Sequence, residues 1–139
     1  MASELRVNTL KDAAGNNSVA TSTVAQGSAK SWLNFNGTGT IAARDSFNHS
    51  SLTDVSVGNY TVTLANAMNN VNYSFTGGMA ESVSGAGTRA IMFGSNFDSG
   101  TLDPNFTTTS YSVNSFFTNS DGSDFDTTFI SNQIFGDLA

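Results

Sequence analysis

The sequence predicts a mainly β protein, an antiparallel β-sandwich of jelly-roll-like type that follows an extended N-terminal arm. Short runs alternate apolar and polar residues, as in residues 60–64, where Tyr60, Val62 and Leu64 share one face. Turn pairs of the Gly-Asn and Asn-Gly kind separate these runs at intervals of roughly 8–12 residues. The strong helix formers Leu, Glu and Lys are scarce beside Ser, Thr and Asn, which argues against a helical bundle.

Four of the alternating runs each predict a half-buried strand: residues 60–64, 71–76, 107–117 and 125–129. Threonine fills many of their outward positions, since a β-branched side chain packs well on a pleated surface. Eleven Phe, three Tyr and one Trp supply large side chains for a core between two sheets. We therefore predict a sandwich domain over residues 31–139.

The composition excludes several classes of protein. Ser, Thr and Asn account for 20, 17 and 16 of the 139 residues, so the surface is built from neutral hydrogen-bonding groups. The net charge of −6, with only five Lys and Arg, disfavours nucleic acid as a partner. No apolar run is long enough to span a bilayer, and the lack of Cys excludes disulfides and thiolate metal sites.

Residues 1–30 differ from the rest of the chain, because no aromatic residue precedes Trp32 and the apolar side chains are few and small. Two stretches, 5–10 and 18–24, look extended and are joined by a turn at residues 15–17. Such a segment cannot form a core of its own, so we expect it to gain order by docking on a partner. We predict that it is an attachment and oligomerisation arm.

Several segments resemble tail-fibre and related virion proteins of tailed bacteriophages, the type common in marine and freshwater phages. The resemblance covers residues 3–76 and is carried by SELRVNTLKD at 3–12, GNNS at 15–18, AKSWLNFNGTGT at 29–40 and GNYTVTL at 58–64. It implies a homotrimeric structural protein on the exterior of the virion, without catalytic residues. Because no long shaft precedes the arm in this sequence, we expect a capsid decoration or cement protein, or a short fibre.

The predicted partners are copies of the chain itself and other virion proteins, such as the major capsid or tail proteins. Six residues are the candidates for assembly: Leu5, Arg6, Val7, Leu10, Trp32 and Phe35. The alternative is a tail-fibre receptor-binding module that recognises a host surface glycan. That function needs exposed aromatic residues beside Asn or Asp in a concave site, for which Tyr111, or Phe125 with Asp124, are candidates.

The sequence does not predict an enzyme or a cofactor. His49 is the only histidine, and with nearby Ser50 and Asp54 it suggests a Ser-His-Asp set. However, no Gly-x-Ser-x-Gly elbow is present, and the order and spacing fit no known triad. We therefore expect a structural or exposed histidine.

An oxygen-rich segment near the C-terminus is a weak candidate for Ca²⁺ binding, through Asn119, Asp121, Asp124 and Asp126. The spacing of an EF-hand loop is missing, and no bidentate Glu follows. An Asp-Gly hairpin turn before the strand at Phe125 is the favoured interpretation, and we predict no metal.

Overall fold

The computed structural model describes residues 3–80, 89–93, 106–117 and 123–139. Within these ranges the chain forms ten strands and one short helix. Their bounds are β1 (Thr9–Lys11), β2 (Ser18–Ala20), α1 (Thr21–Gly27), β3 (Ser31–Asn36), β4 (Ala42–Phe47), β5 (His49–Ser56), β6 (Asn59–Leu64), β7 (Ser74–Ala80), β8 (Arg89–Phe93), β9 (Ser110–Phe117) and β10 (Phe129–Phe135).

Eight of these strands form two four-stranded sheets, in the orders β4-β3-β10-β7 and β5-β6-β9-β8. Every pair within them is antiparallel. The predicted antiparallel β-sandwich is therefore confirmed. Like a jelly roll, the sandwich has eight strands divided between two sheets.

The core lies between the two sheets, because alternate residues of β3, β6 and β10 point inward. Leu33 and Phe35 come from β3, and Tyr60 and Val62 from β6, and all four are fully buried. The rings of Phe35 and Tyr60 meet edge to face across the interior, with centroids 5.1 Å apart. The remaining core residues are Leu64, Met68, Tyr73, Tyr111, Val113, Ile130 and Ile134.

The predicted strand at residues 60–64 is confirmed as β6, but the other alternating runs differ at their ends. The run at 71–76 becomes strand only from Ser74, and that at 107–117 only from Ser110. Before β9, the Thr107 hydroxyl accepts hydrogen bonds from the backbone N–H groups of Thr109 and Ser110, which forms a turn. Local side-chain bonds of this kind compete with strand pairing.

The run at residues 125–129 is mostly not a strand, and β10 begins only at Phe129. The carboxylate of Asp126 accepts hydrogen bonds from the Gly58 N–H and the Tyr60 hydroxyl, at 2.8 and 3.1 Å. These contacts hold residues 125–128 across the end of the sandwich instead of in a sheet. The alternation Phe125-x-Thr127-x-Phe129 therefore indicated burial correctly for Thr127, which is fully buried, but not for Phe129, which is 40% exposed, and it did not mark a continuous strand.

The arm is less extended than predicted. Strands β1 and β2 pair as a hairpin, but residues 21–24, expected to be extended, belong to helix α1. Thr21 sets the change of direction, since its N–H and its hydroxyl both donate to the carbonyl of Asn8. At the other end, the Lys30 ammonium donates to the carbonyls of Ala25 and Ser28, near the free carbonyls of the last helical turn.

Candidate functional site

The hairpin of the arm exposes an apolar pair. Leu10 on β1 lies directly opposite Val19 on β2, and the two side chains are 44% and 37% exposed. They line a shallow hollow of about 300 Å³ together with Lys11, Asp12 and residues 17–18. A cross-strand apolar pair normally packs on a core, whereas this pair has none beneath it in the described part of the chain.

The tip of this hairpin is nevertheless held in place by Asp12. Its carboxylate accepts bonds from the backbone N–H groups of Asn16 and Asn17, and from the Asn17 side-chain amide at 2.7 Å. The Asn17 amide, followed by the backbone donors, lowers the pKa of Asp12 below its ordinary value. The hairpin thus has local polar order although its apolar side chains are uncovered.

The other predicted assembly residues of the arm are also at the surface. Leu5 and Val7 are 80% and 39% exposed, and Arg6 forms an exposed ion pair with Glu4 at 3.0 Å. An ion pair so exposed contributes little to stability. Leu5, Val7 and Arg6 therefore remain accessible to a partner.

The two predicted assembly residues of β3 have different surroundings. Phe35 is fully buried against Tyr60, so its side chain stabilises the core and offers no surface for assembly. Its burial argues against the direct role in assembly that was predicted for it. Trp32 points to the outer face, opposite Phe47 of β4, and the two rings are 36% and 50% exposed.

A groove lies beside Trp32 on the outer face of the β4-β3-β10-β7 sheet. Its volume is about 340 Å³, and it is lined by Trp32, residues 76–78 of β7 and residues 131–133 of β10. No local pattern in the sequence predicted this groove. The available signal was the Gly77-Gly78 pair: a Gly-Gly pair commonly marks a turn, but glycine inside a strand can also mark a gap or a close approach.

The residues predicted for glycan binding do not form an exposed site. Tyr111 is fully buried, and its hydroxyl donates a 2.6 Å bond to Asn132 Oδ1 in the opposite sheet. Phe125 packs on Phe117, with ring centroids 4.4 Å apart. The sequence pattern placed Tyr111 correctly on one face of β9 but could not say that this face is the core.

Asp124 belongs to a polar cluster at the end of the sandwich. Its two carboxylate oxygens accept bonds from the side-chain amides of Asn59 and Asn114, at 2.8 and 3.0 Å. The Asn114 amide also donates to Asn59 Oδ1 at 2.8 Å. Asn59 and Asn114 are both buried, so the cluster satisfies groups that would be costly to leave unpaired.

For Ca²⁺ binding, two of the four predicted ligands, Asn119 and Asp121, lie outside the described residues. The other two, Asp124 and Asp126, already accept hydrogen bonds from amide, backbone and hydroxyl donors. Among the residues that the structure describes, no three His, Cys, Asp or Glu side chains are grouped as metal ligands are.

The surroundings of His49 resemble those of a structural histidine. Its Nε2 atom is shielded from solvent and has no hydrogen-bond partner in the described part of the chain. Burial lowers the pKa of His49 below its ordinary value, so the neutral ring is favoured. The neighbouring Ser50 hydroxyl donates to the carbonyls of Thr63 and Leu64, so it is used in holding β5 to β6.

Comparison of the chain with protein-family models, curated proteins and solved structures finds no match. Across residues 3–80, 89–93, 106–117 and 123–139, no helix has the length and apolar character to cross a membrane.

Proposed function

We propose that this chain is a structural protein of a bacteriophage virion, carried on the particle exterior as a homotrimer. In this proposal the arm attaches the protein to the capsid or tail, and the sandwich faces outward as a decoration or as a short fibre. The observation that supports it best is the arm's organised but uncovered apolar surface. The side chains concerned are Leu5, Val7, Leu10, Val19 and Val24, each between 37% and 80% exposed.

The energetics of the two parts favour attachment through the arm. The sandwich has its own core of buried apolar side chains, and among the described residues none of these comes from the arm. In contrast, helix α1 has no buried residue, and β1 is exposed throughout. Burial of apolar area stabilises by about 25 cal/mol per Å², so docking on a neighbour would supply what the arm lacks.

The sandwich also has surfaces suited to association between copies. Strand β4 is an edge strand of its sheet, and most of its residues are exposed. Unpaired edges and exposed aromatic side chains such as Phe47 are commonly covered in assemblies. The resemblance of residues 3–76 to phage fibre proteins favours three copies.

Attachment can be tested by weakening the apolar surface of the hairpin. In phage carrying the double variant Leu10→Ser with Val19→Ser, we expect the protein to be largely lost from purified particles, as counted by quantitative mass spectrometry. The matched control is Val55→Ser with Val57→Ser, two valines of the sandwich that are 58% and 59% exposed. Particles that retain the hairpin variant at the control's copy number would refute attachment by the arm.

The proposed trimer can be tested on the purified full-length chain. Light scattering after size-exclusion chromatography should give about three times the monomer mass of 14.5 kDa. A monomer at all concentrations tested would contradict the oligomeric part of the proposal.

A further inference from the structure

The groove beside Trp32 exists because one strand lacks side chains there. On the outer face, Gln133 of β10 lies between Trp32 of β3 and Thr76 of β7. In the next row, Ser131 pairs with Gly78, and a Cβ atom built on Gly78 would meet no atom within 4 Å. Gly78 therefore leaves open space beside the partly covered indole ring of Trp32.

The chemistry of the groove is neutral and amphipathic. Trp32 supplies one flat apolar surface, while the hydroxyls of Thr76 and Ser131 and the amide of Gln133 supply donors and acceptors. No charged side chain is among the lining residues. A site without a fixed charge has no means of preferring a phosphate, a carboxylate or an ammonium group, so the lining favours an uncharged ligand.

A second observation points to a hydroxyl-bearing ligand. Asn34 lies next to Ser131 in the same row of the outer face, and its Oδ1 atom has no hydrogen-bond partner among the described residues. A shielded acceptor without a donor is costly, of the order of 1–3 kcal/mol. Such groups in a native structure often mark a place where a partner is missing. A ligand hydroxyl beside Ser131 is a donor of the kind that this acceptor lacks.

We propose that this groove binds a neutral saccharide. The C–H face of a pyranose ring packs on the Trp32 indole, and its hydroxyls exchange hydrogen bonds with Gln133, Thr76 and Ser131. A wholly apolar ligand would leave these polar groups unpaired. A volume of about 340 Å³ is at the small end of ligand sites and suits one or two sugar rings. The proposal does not depend on the arm, because none of the lining residues lies in residues 1–30.

The single Trp of the chain makes binding directly observable. The full-length protein is first screened on a glycan array, and neutral disaccharides such as maltose, lactose and diacetylchitobiose are then titrated against Trp32 fluorescence. We expect a saturable change with at least one neutral glycan, and no preference for sialylated or sulfated ones. The absence of binding to every neutral glycan on the array would overturn the proposal.

Two variants place the binding in this groove. Gly78→Val fills the open space, and valine suits a strand, so we expect a folded protein whose affinity is about tenfold lower or worse. The matched control is Ala80→Val, on the same face of β7 but outside the lining, which should bind as the wild type does. Trp32→Ala should also abolish binding. Calorimetry measures this, because the variant lacks the fluorescent side chain.

Three further results would distinguish this proposal from its competitors. Unchanged affinity in Gly78→Val would refute the site. If Trp32 is protected from a fluorescence quencher, and this protection is lost when the protein is diluted to monomer, then a second copy covers this face and the saccharide site is refuted. Saccharide binding by the Leu10→Ser/Val19→Ser variant would confirm that the groove and the arm act independently, whereas its loss would contradict that separation.

Discussion

Tyr111 of β9 and Asn132 of β10 join the two sheets in the middle of the core, through the 2.6 Å bond from the tyrosine hydroxyl to Asn132 Oδ1. Tyr111 is fully buried and Asn132 is 2% exposed. We therefore expect Tyr111→Phe to lower the free energy of unfolding by about 1–3 kcal/mol, because it leaves a buried acceptor unpaired. Urea-induced unfolding followed by circular dichroism measures this change.

The control for this prediction removes both partners. Tyr111→Phe with Asn132→Leu removes both partners of this bond together, so we expect stability within about 1 kcal/mol of the wild type. If the double variant loses as much free energy of unfolding as the two single variants added together, the hydrogen bond does not couple these positions.

Gly58 occupies a turn that no other residue fits. Its φ is +70°, and a Cβ atom there would lie 2.5 Å from the Ser115 carbonyl oxygen and 2.8 Å from the Phe125 nitrogen. Gly58→Ala is expected to cost about 3 kcal/mol or more, through both backbone strain and the clash. Gly39→Ala is the matched control, because Gly39 has a φ of +62° with open space around it and should cost about 1–2 kcal/mol. Thermal melting curves that place the two variants at the same stability would contradict the enclosed position of Gly58.

Asp124 is expected to stabilise the end of the sandwich through its bonds to Asn59 and Asn114. Asp124→Asn replaces one accepting oxygen by a donor that faces another amide, so stability should fall by about 1–3 kcal/mol. Asp137→Asn changes the net charge equally at an exposed position and should stay within about 0.5 kcal/mol. Equal effects of the two substitutions would mean that charge alone matters, not the cluster.

Stability should decrease at alkaline pH because of the buried tyrosines. Burial raises the pKa of Tyr73 from 10.0 to about 12, and it also raises the pKa of Tyr60 and Tyr111. Above pH 10 the unfolded chain loses these protons while the folded chain keeps them, so the free energy of unfolding falls as pH rises toward 12. For Tyr73 the loss is roughly 2–3 kcal/mol.

Denaturant unfolding across this pH range checks the prediction, with Tyr73→Phe as the comparison. The variant loses the bonds from the hydroxyl to the Thr107 and Ser110 carbonyls, so it is less stable at neutral pH. Its stability should, however, fall less steeply between pH 10 and 12. If the free energy of unfolding falls equally in the two proteins between pH 10 and 12, Tyr73 has the same pKa in the folded and unfolded chains, which would contradict the prediction.

Much of the fold was predictable because it depends on local alternation. Tyr60, Val62 and Leu64 do face the core, as their period-2 spacing indicates. The helix at residues 21–27 was not predictable in this way. The chain changes direction at Thr21, whose hydroxyl donates a hydrogen bond to the carbonyl of Asn8, thirteen residues earlier. The alternation also could not show that residues 125–128 leave the strand path, since that depends on Asp126 meeting Gly58.

The candidate sites depend even more on contacts distant in sequence. The groove requires Trp32, Gly78 and Ser131, which come from three strands that only the sheet register brings together. The two faces of β3, in contrast, have a local signal: Leu33 and Phe35 alternate with Asn34 and Asn36, which puts buried Phe35 and outward Trp32 on opposite faces. The exposed arm was predictable, because the shortage of large apolar residues in residues 1–30 is a property of composition alone.

The central claim is that the arm attaches this protein to the outside of a virion. Electron cryo-microscopy of purified virions of the phage that, on this proposal, encodes the chain tests this most directly. We predict density for the sandwich on the particle exterior, in groups of three, with residues 3–30 in contact with a capsid or tail protein. Particles without this density, or density in which the sandwich makes the contact and the arm points to solvent, would contradict the account.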